Sequence, residues 1–136
     1  MRGYQLVSGA SGVFRAEEAR LHRGRTDTEH PGYSGAAYAV LEEGAGGQAE
    51  WEVEAAAPAS ATLALRYANG GTADRPMDIA VNGTRVVAAR PFRPTGGWGS
   101  WATVSVPITL RTGANTVRVT AATAAGGPHL DRIAIS

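Results

Sequence analysis

The chain of 136 residues has no cysteine and no lysine, and it contains no long apolar run. The lack of cysteine excludes disulfide bonds, thiolate nucleophiles and cysteine-based zinc sites. No segment approaches the roughly 20 apolar residues that a membrane-spanning helix needs. The 13 basic residues are balanced by 12 acidic ones, for a formal net charge of +1, and no basic face is apparent. The composition therefore predicts neither a nucleic-acid nor a membrane partner.

What the chain does contain is a repeated alternation of apolar and polar side chains, which is typical of half-buried β-strands. The alternating segments are 51–55, 61–67, 77–81, 102–108, 117–119 and 133–135. Asn82-Gly83 is a two-residue hairpin signal, and no segment has a helical apolar stripe. We therefore predict an all-β fold, an antiparallel β-sandwich of jelly-roll type with eight or nine strands. Residues 13–136 form the single module, and residues 1–12 are an N-terminal extension or edge strand.

Signals for catalysis are weak. The histidines His22, His30 and His129 are far apart in the sequence, without the spacing of metal ligands. No serine lies in a Gly-x-Ser-x-Gly turn. Residues 44–49 match a loose dinucleotide-binding pattern, but the segment that follows alternates like a strand, whereas that pattern must open a helix. The sequence therefore predicts no catalytic residues and no enzyme activity.

Two aromatic residues lie in long segments without strand patterning, at 23–36 and 90–100. Trp98 is flanked by glycines that cannot cover it, and Tyr33 lies in a glycine-containing loop. A flat, partly exposed ring suits stacking against the apolar face of a sugar. The alternative is that Trp98 packs beneath its own loop. Trp101, at the start of a strand, is predicted to lie in the core.

Two carboxylates, Glu17 and Asp131, share the parity of the inward-facing residues beside them. A carboxylate that points toward an apolar layer is costly unless it is paired or binds a metal ion. Oxygen ligands from two distant strands suit calcium. The alternative is pairing with arginine, because Arg15, Arg20 and Arg132 are near in the sequence.

Six sequence segments, in order along the chain, resemble the carbohydrate-binding modules of family 35 and, more loosely, those of family 6. These segments are Phe14-Arg15-Ala16-Glu17-Glu18-Ala19, His30-Pro31-Gly32-Tyr33-Ser34-Gly35, Arg66-Tyr67-Ala68-Asn69-Gly70, Val81-Asn82-Gly83, Thr95-Gly96-Gly97-Trp98-Gly99-Ser100-Trp101 and Pro128-His129-Leu130-Asp131. The resemblance covers about Val13 to Ile135. It implies a β-jelly-roll attached to a secreted, extracellular bacterial enzyme that degrades polysaccharide, and a module that binds sugar without catalysis.

The resemblance also implies the residues of a sugar site in the loops at one end of the sandwich. Trp98 would be the stacking platform, Asn69 a hydrogen-bonding amide, and Tyr33 a side wall or phenol donor. His129 stands where relatives commonly have asparagine in contact with the ligand, so it would alter sugar choice or make binding sensitive to pH.

The resemblance implies a structural calcium ion away from the sugar, held by Glu17 and Asp131. Arg15 departs from the family, which usually has a glutamate there, and a cation at this position removes a ligand. Some relatives bind a second calcium ion that bridges to a uronic acid, and Asp27, Glu29 and Asp74 are available for such a role.

We therefore expect a non-catalytic module that directs an appended glycoside hydrolase or lyase to galactose-, mannose- or uronate-containing glycans. Its partners would be the carbohydrate and the parent catalytic domain. The alternative is a structural or protein-interaction β-sandwich domain of a secreted protein, whose loop aromatics contact another protein.

Overall fold

A computed structural model describes residues 12–41 and 44–136 of the chain, which form two antiparallel β-sheets. The strands are β1 Gly12–Arg15, β2 Arg20–His22, β3 Arg25–Asp27, β4 Tyr38–Val40, β5 Gln48–Ala55, β6 Ala59–Ala68, β7 Met77–Val81, β8 Thr84–Arg90, β9 Ala102–Leu110, β10 Gly113–Ala121 and β11 His129–Ile135. The helical element in this part of the chain is one turn of 3-10 helix, Ala16–Glu18, after β1. None of its helices is long and apolar enough to cross a membrane.

The two sheets have the layered arrangement of a jelly roll. One sheet has the order β3-β4-β11-β6-β9, and β1 pairs with residues 132–135 of β11. The other has the order β2-β5-β10-β7-β8. The predicted antiparallel β-sandwich is therefore confirmed, although the described residues form eleven strands and not the eight or nine expected.

The core lies between the sheets and is formed by the alternating residues of the long strands. Along β5, Trp51, Val53 and Ala55 are buried while Glu52 and Glu54 are exposed. The facing sheet contributes Leu63, Leu65, Ile133 and Ile135, and neighbouring strands of the same sheet as β5 contribute Ile79, Val117 and Val119. Each of these side chains is at most 5% exposed, so the alternation read from the sequence marks the apolar face of each sheet.

The predicted hairpin at Asn82-Gly83 joins β7 to β8. Asn82 and Gly83 have φ values of 52° and 82°, so both central residues are in the left-handed region, as the tightest two-residue hairpins require. Asparagine and glycine tolerate that region better than other residues. The hairpin prediction is confirmed.

Local departures from the predicted pattern occur near the N-terminal part of the module. The 3-10 turn interrupts the strand parity on which the inward orientation of Glu17 was based, and the Glu17 side chain is exposed. The segment 23–36 contains the short strand β3, which pairs with β4. Residues 1–11 of the predicted extension lie outside the described residues, and Gly12 begins β1.

The strand connections place several long loops at one end of the sandwich. This loop end contains the β6–β7, β8–β9 and β10–β11 connections, because β8 and β10 finish beside the start of β7, while β6 finishes beside the starts of β9 and β11. The β3–β4 loop reaches the same end through His30, whose ring lies 5.9 Å from that of His129. The Asn82-Gly83 hairpin lies at the opposite, hairpin end. Long loops on a rigid sandwich are common positions for binding residues.

Candidate functional site

A pocket of about 180 Å³ opens at the loop end. Its walls are formed by Arg25, Asp27, Glu29, His30, Trp98 and His129. The first four belong to β3 and the loop after it, Trp98 to the β8–β9 loop, and His129 to the first position of β11. Three segments that are far apart in the sequence therefore contribute to one concave surface.

Trp98 forms the aromatic wall of this pocket and is half-buried. The His129 ring lies 4.2 Å from it, centroid to centroid, at an interplanar angle of 34°. The Arg75 guanidinium lies 5.1 Å from the ring centroid. The main chain at Gly70 also approaches closely, since a Cβ there would lie 2.4 Å from indole Cγ. The adjacent glycines leave the ring partly exposed, as predicted. His129, Arg75 and Gly70, which belong to other segments, cover part of the ring, and the sequence did not predict these contacts.

His129 connects the pocket to the interior. It is 5% exposed and its ring stacks on Tyr38 at 4.9 Å and 23°. Tyr38 is fully buried, and this desolvation raises the pKa of its phenol. The phenol oxygen of Tyr38 accepts a hydrogen bond of 3.1 Å from the backbone N–H of His30. Trp98, His129 and Tyr38 thus form a continuous aromatic stack. Tyr38 begins an apolar run in the sequence, and that run gave no sign of its place in the stack.

Charged groups line the opposite part of the pocket. Arg25 Nη1 donates to Asp27 Oδ2 at 3.0 Å, while the backbone N–H groups of Thr28 and Glu29 donate to Asp27 Oδ1 at 2.7 and 3.2 Å. The Thr28 hydrogen bond and then the Arg25 side chain lower the pKa of Asp27. The pocket therefore combines an aromatic wall with carboxylate, guanidinium and imidazole groups.

Asn69 does not have the position that its predicted role requires. Its side chain is fully buried, and Nδ2 donates to the carbonyl oxygens of Ala73 and Phe92 at 2.9 and 2.8 Å. Its Oδ1 accepts from the backbone N–H of Gly71 at 3.0 Å. Both amide hydrogens are therefore used inside the protein. This corrects the expectation of a sugar-facing donor: Asn69 shapes the β6–β7 loop behind Trp98.

Tyr33 lies beside the aromatic stack. It is half-buried and packs edge-on against Tyr38, with ring centroids 5.5 Å apart. It is not among the described residues that line the 180 Å³ pocket. The structure thus brings Trp98 and His129 together in one wall and leaves Tyr33 to support the ring behind it.

Asp131 holds the β3–β4 loop in place. Its side chain is fully buried; Oδ1 accepts from the backbone N–H of Ser34 at 2.7 Å, and Oδ2 accepts from the Ser34 hydroxyl at 2.8 Å. Arg66 Nη1 lies 2.8 Å from the same Oδ2 and also 2.8 Å from the carbonyl oxygen of Gly32. Arg132 Nη1 is 3.8 Å from Oδ2. Pairing with arginine, the alternative to calcium, accounts for this inward carboxylate.

Trp101 is half-buried beside the same loop, so its predicted place in the core is wrong. Its indole N–H donates to the carbonyl oxygen of Pro31 at 2.8 Å. Gly32, with φ of 98°, lies so close that a Cβ there would be 2.7 Å from the indole nitrogen. Arg66 lies 5.4 Å from the ring centroid, and Tyr38 meets it edge-on at 5.6 Å. Trp101 therefore fixes the backbone of the β3–β4 loop.

The two predicted calcium ligands do not form a donor set that fits the ion. The exposed Glu17 uses Oε2 to accept from the backbone N–H of Ala36 at 3.0 Å, and the Asp131 oxygens are occupied by Ser34 and Arg66. Calcium takes about six to eight oxygen ligands. Within residues 12–41 and 44–136, no group of three or more histidine, aspartate or glutamate side chains is arranged to hold a metal ion.

Comparisons with known proteins agree with this fold. A protein-family model described as "CBM13-like: Alpha-galactosidase, CBM13 domain" matches residues 49–135. The chain is 36% identical over 122 residues to an exo-beta-D-glucosaminidase of Amycolatopsis orientalis, which covers 90% of this chain but only 12% of that enzyme.

Solved structures include a family 35 carbohydrate-binding module of Clostridium thermocellum. It superposes with a TM-score of 0.90 at 36% identity, covering 93% of this chain and 97% of that one. A further family 35 module, solved in complex with a glucuronic acid containing disaccharide, has a TM-score of 0.83 at 29% identity and covers 91% of both chains.

The jelly roll and these matches define the class: the chain is a β-sandwich carbohydrate-binding module. It belongs to family 35 of these modules, as its motifs predicted, and the CBM13-like model describes a related fold.

Proposed function

We propose that this module binds the ends of polysaccharide chains without catalysis, through the pocket between Trp98, His129 and the β3–β4 loop. The observation that carries the proposal is the half-buried Trp98 indole, which forms one wall of a pocket whose other side is polar. Aromatic faces bind the apolar face of a pyranose, while polar groups bind its hydroxyls. The pocket supplies both.

The size of the pocket favours a single sugar unit. Its volume of about 180 Å³ corresponds to roughly six water molecules at ~30 Å³ each and is below the usual range for drug-sized ligands. A terminal sugar fits such a space better than an internal unit, which needs exits for the chain on both sides. The proposed ligands are therefore galactose-, mannose- or uronate-containing ends.

Rigid walls support binding of a polar ligand by a shallow pocket. The β3–β4 loop is held by Asp131, Arg66 and Trp101 through hydrogen bonds to its backbone. Trp98 is held by the stack that continues through His129 to Tyr38. Because little ordering is then needed on binding, a modest set of contacts suffices for measurable affinity.

In its biological setting, we propose that the module directs an appended glycoside hydrolase or lyase to polysaccharide outside a bacterial cell. The matched segment of the A. orientalis relative makes up 12% of that enzyme, so related modules occur within larger proteins. The parent catalytic domain is then the second partner, beside the carbohydrate.

A glycan array with calcium and then with a chelator, followed by affinity gel electrophoresis on the best ligand, tests this function. Trp98→Ala removes the aromatic wall, and we expect binding to fall at least tenfold, which corresponds to about 1.4 kcal/mol. Trp98→Phe keeps a flat ring and should retain part of the affinity. Val86→Ala removes an exposed apolar side chain on β8 and serves as the matched control.

Two outcomes would contradict the proposal. Undiminished retardation of a folded Trp98→Ala variant would remove this pocket as the sugar site. An array without any hit, with and without calcium, would favour the alternative of a β-sandwich that contacts another protein.

A further inference from the structure

Arg75, in the β6–β7 loop, reaches the Trp98 ring from outside the pocket: in the described part of the chain it does not belong to the lining of the 180 Å³ pocket. Its guanidinium carbon lies 5.1 Å from the centroid of the Trp98 ring, within the roughly 6 Å over which a cation and an aromatic face attract each other. Arg75 is half-buried, and such an attraction is stronger where water is partly excluded. The contact therefore joins a charged side chain outside the pocket to the aromatic wall of the pocket.

The backbone of Arg75 is fixed against the β8–β9 loop, which carries Trp98. Its N–H donates to the carbonyl oxygen of Phe92 at 3.2 Å. The preceding residue, Asp74, accepts from the backbone N–H of Phe92 through Oδ1 at 2.7 Å. Phe92 is fully buried in the core. The arginine side chain therefore starts from backbone that the core holds in place.

The guanidinium end of the side chain is fixed against the β10–β11 loop. Nη1 of Arg75 donates to the carbonyl oxygen of Ala125 at 2.8 Å and to that of Gly127 at 3.4 Å. The backbone N–H of Gly127 in turn donates to the carbonyl oxygen of Leu41 at 2.7 Å, so this part of the loop is itself held. A guanidinium is planar and carries five N–H donors, so it can bond to carbonyl oxygens and pack against an aromatic ring together, whereas a lysine ammonium is a compact point charge.

We propose that Arg75 is a positioning residue of the sugar site: its guanidinium, anchored on the β10–β11 loop, fixes the orientation of the Trp98 indole that forms the pocket wall. This inference rests on the proposed function, since it concerns the wall that binds the sugar. Of the three loops that Arg75 joins, only the β8–β9 loop contributes a described residue to the pocket lining. The β6–β7 and β10–β11 loops therefore influence sugar binding through Arg75 without lining the pocket.

The first test needs no sugar. The chain has three tryptophans, so an isotope-labelled sample gives three indole N–H signals in NMR spectra, and the signal that is lost in Trp98→Phe belongs to Trp98. Arg75→Met keeps a long, flexible side chain and removes the charge. We expect the Trp98 signal to shift or broaden, while the signals of Trp51 and Trp101, whose N–H groups donate to backbone carbonyls elsewhere, stay in place. An unchanged Trp98 signal in a folded Arg75→Met variant would overturn the proposal.

The second test measures affinity for the best ligand of the glycan array by affinity gel electrophoresis. We expect Arg75→Met to weaken binding by about threefold to tenfold, the range that the loss of one cation–aromatic contact predicts. Arg75→Lys restores the charge without the planar guanidinium and should recover part of this loss. Arg93→Met replaces an exposed arginine of the β8–β9 loop, changes the net charge equally, and should bind as the wild type does.

The two tests together distinguish a failure of this proposal from a failure of the proposed function. Undiminished binding by Trp98→Ala would overturn both. Loss of binding in Trp98→Ala, together with wild-type binding by Arg75→Met, would overturn only the role of Arg75. A lower Tm of Arg75→Met with all three indole signals in place would show a role in stability alone and would also overturn it. If Arg75→Met does not fold, Arg75→Lys is measured instead: a shifted Trp98 signal with weaker binding supports the proposal, and wild-type behaviour in both overturns it.

Discussion

The two ends of the sandwich are stabilised in different ways. At the hairpin end, β7 turns into β8 within two residues, and the local preferences of Asn82 and Gly83 define the turn. At the loop end, the β3–β4 loop is held by side chains that are distant in sequence, among them Asp131 and Arg66. Local chemistry therefore builds the turn, whereas long-range hydrogen bonds between side chains and backbone build the site.

Among substitutions at the two ends, Asp131→Ala at the loop end should cause the largest loss of stability. This change leaves Arg66 without its buried partner and frees the backbone N–H of Ser34. We expect a loss of about 3 kcal/mol in the free energy of unfolding, measured by urea denaturation, together with loss of sugar binding. Arg20→Ala, which removes an exposed ion pair of 3.7 Å with Glu50, should cost under about 1 kcal/mol. Equal losses in the free energy of unfolding for the two variants would show that the contacts of Asp131 with Ser34 and Arg66 do not stabilise the fold.

A smaller loss is expected from Asn69→Ala at the same end. The substitution removes three hydrogen bonds behind Gly70 and Trp98, two within the β6–β7 loop and one to the carbonyl oxygen of Phe92 in the β8–β9 loop. We expect a destabilisation of about 2 kcal/mol and weaker sugar binding, because the Trp98 wall loses its support. A variant with wild-type stability but no binding would instead support the original prediction that this amide contacts the sugar directly.

The smallest change in stability is expected from a substitution at the hairpin end. Gly83→Ala places a side chain at a φ of 82° and should cost about 1 kcal/mol, read from thermal unfolding, without any change in sugar affinity. Gly97→Ala is the matched control, since a Cβ there meets its nearest atom, Ser100 Oγ, at an ordinary 3.6 Å. A reduced sugar affinity in Gly83→Ala would contradict the separation of the two ends.

The strands could be predicted from the sequence because their alternation is a local property. The burial of Trp51 and Val53 and the hairpin at Asn82-Gly83 each follow from a few neighbouring residues. Asp131 could also be placed inward, because it lies near apolar residues of the same strand. The pairing of Asp131 with Arg66 was not predicted, because Arg66 comes from β6, which is the neighbouring strand in the sheet but is distant in the sequence. The pairing of strands determines such contacts, and the spacing of residues along the sequence does not reveal which strands pair.

The errors at the site have the same origin. Glu17 was assigned by strand parity, but the 3-10 turn breaks that parity. Asn69 lies in a motif typical of ligand contact, yet its short side chain bonds to its own loop, which a motif alone does not distinguish. Trp101 follows a glycine-rich loop and precedes a strand, and only the approach of Pro31 and Gly32 shows that it supports the loop. The partial exposure of Trp98 could be predicted because its glycine neighbours leave a local signature.

The pairing of β11 with β6 shifts register between Leu130 and Arg132. His129, Leu130 and Asp131 are buried one after another, because Leu130 packs in the core between the sheets while the β3–β4 loop covers Asp131 and the rings of Trp98 and Tyr38 cover His129. Strand β11 therefore places the His129 imidazole in the pocket and, two residues later, the Asp131 carboxylate against the backbone of the β3–β4 loop. Under the proposed function, the first side chain can change to suit a new sugar while the second continues to hold the β3–β4 loop. The proposed determinant of ligand choice and a support of the scaffold then lie within three consecutive residues of one strand.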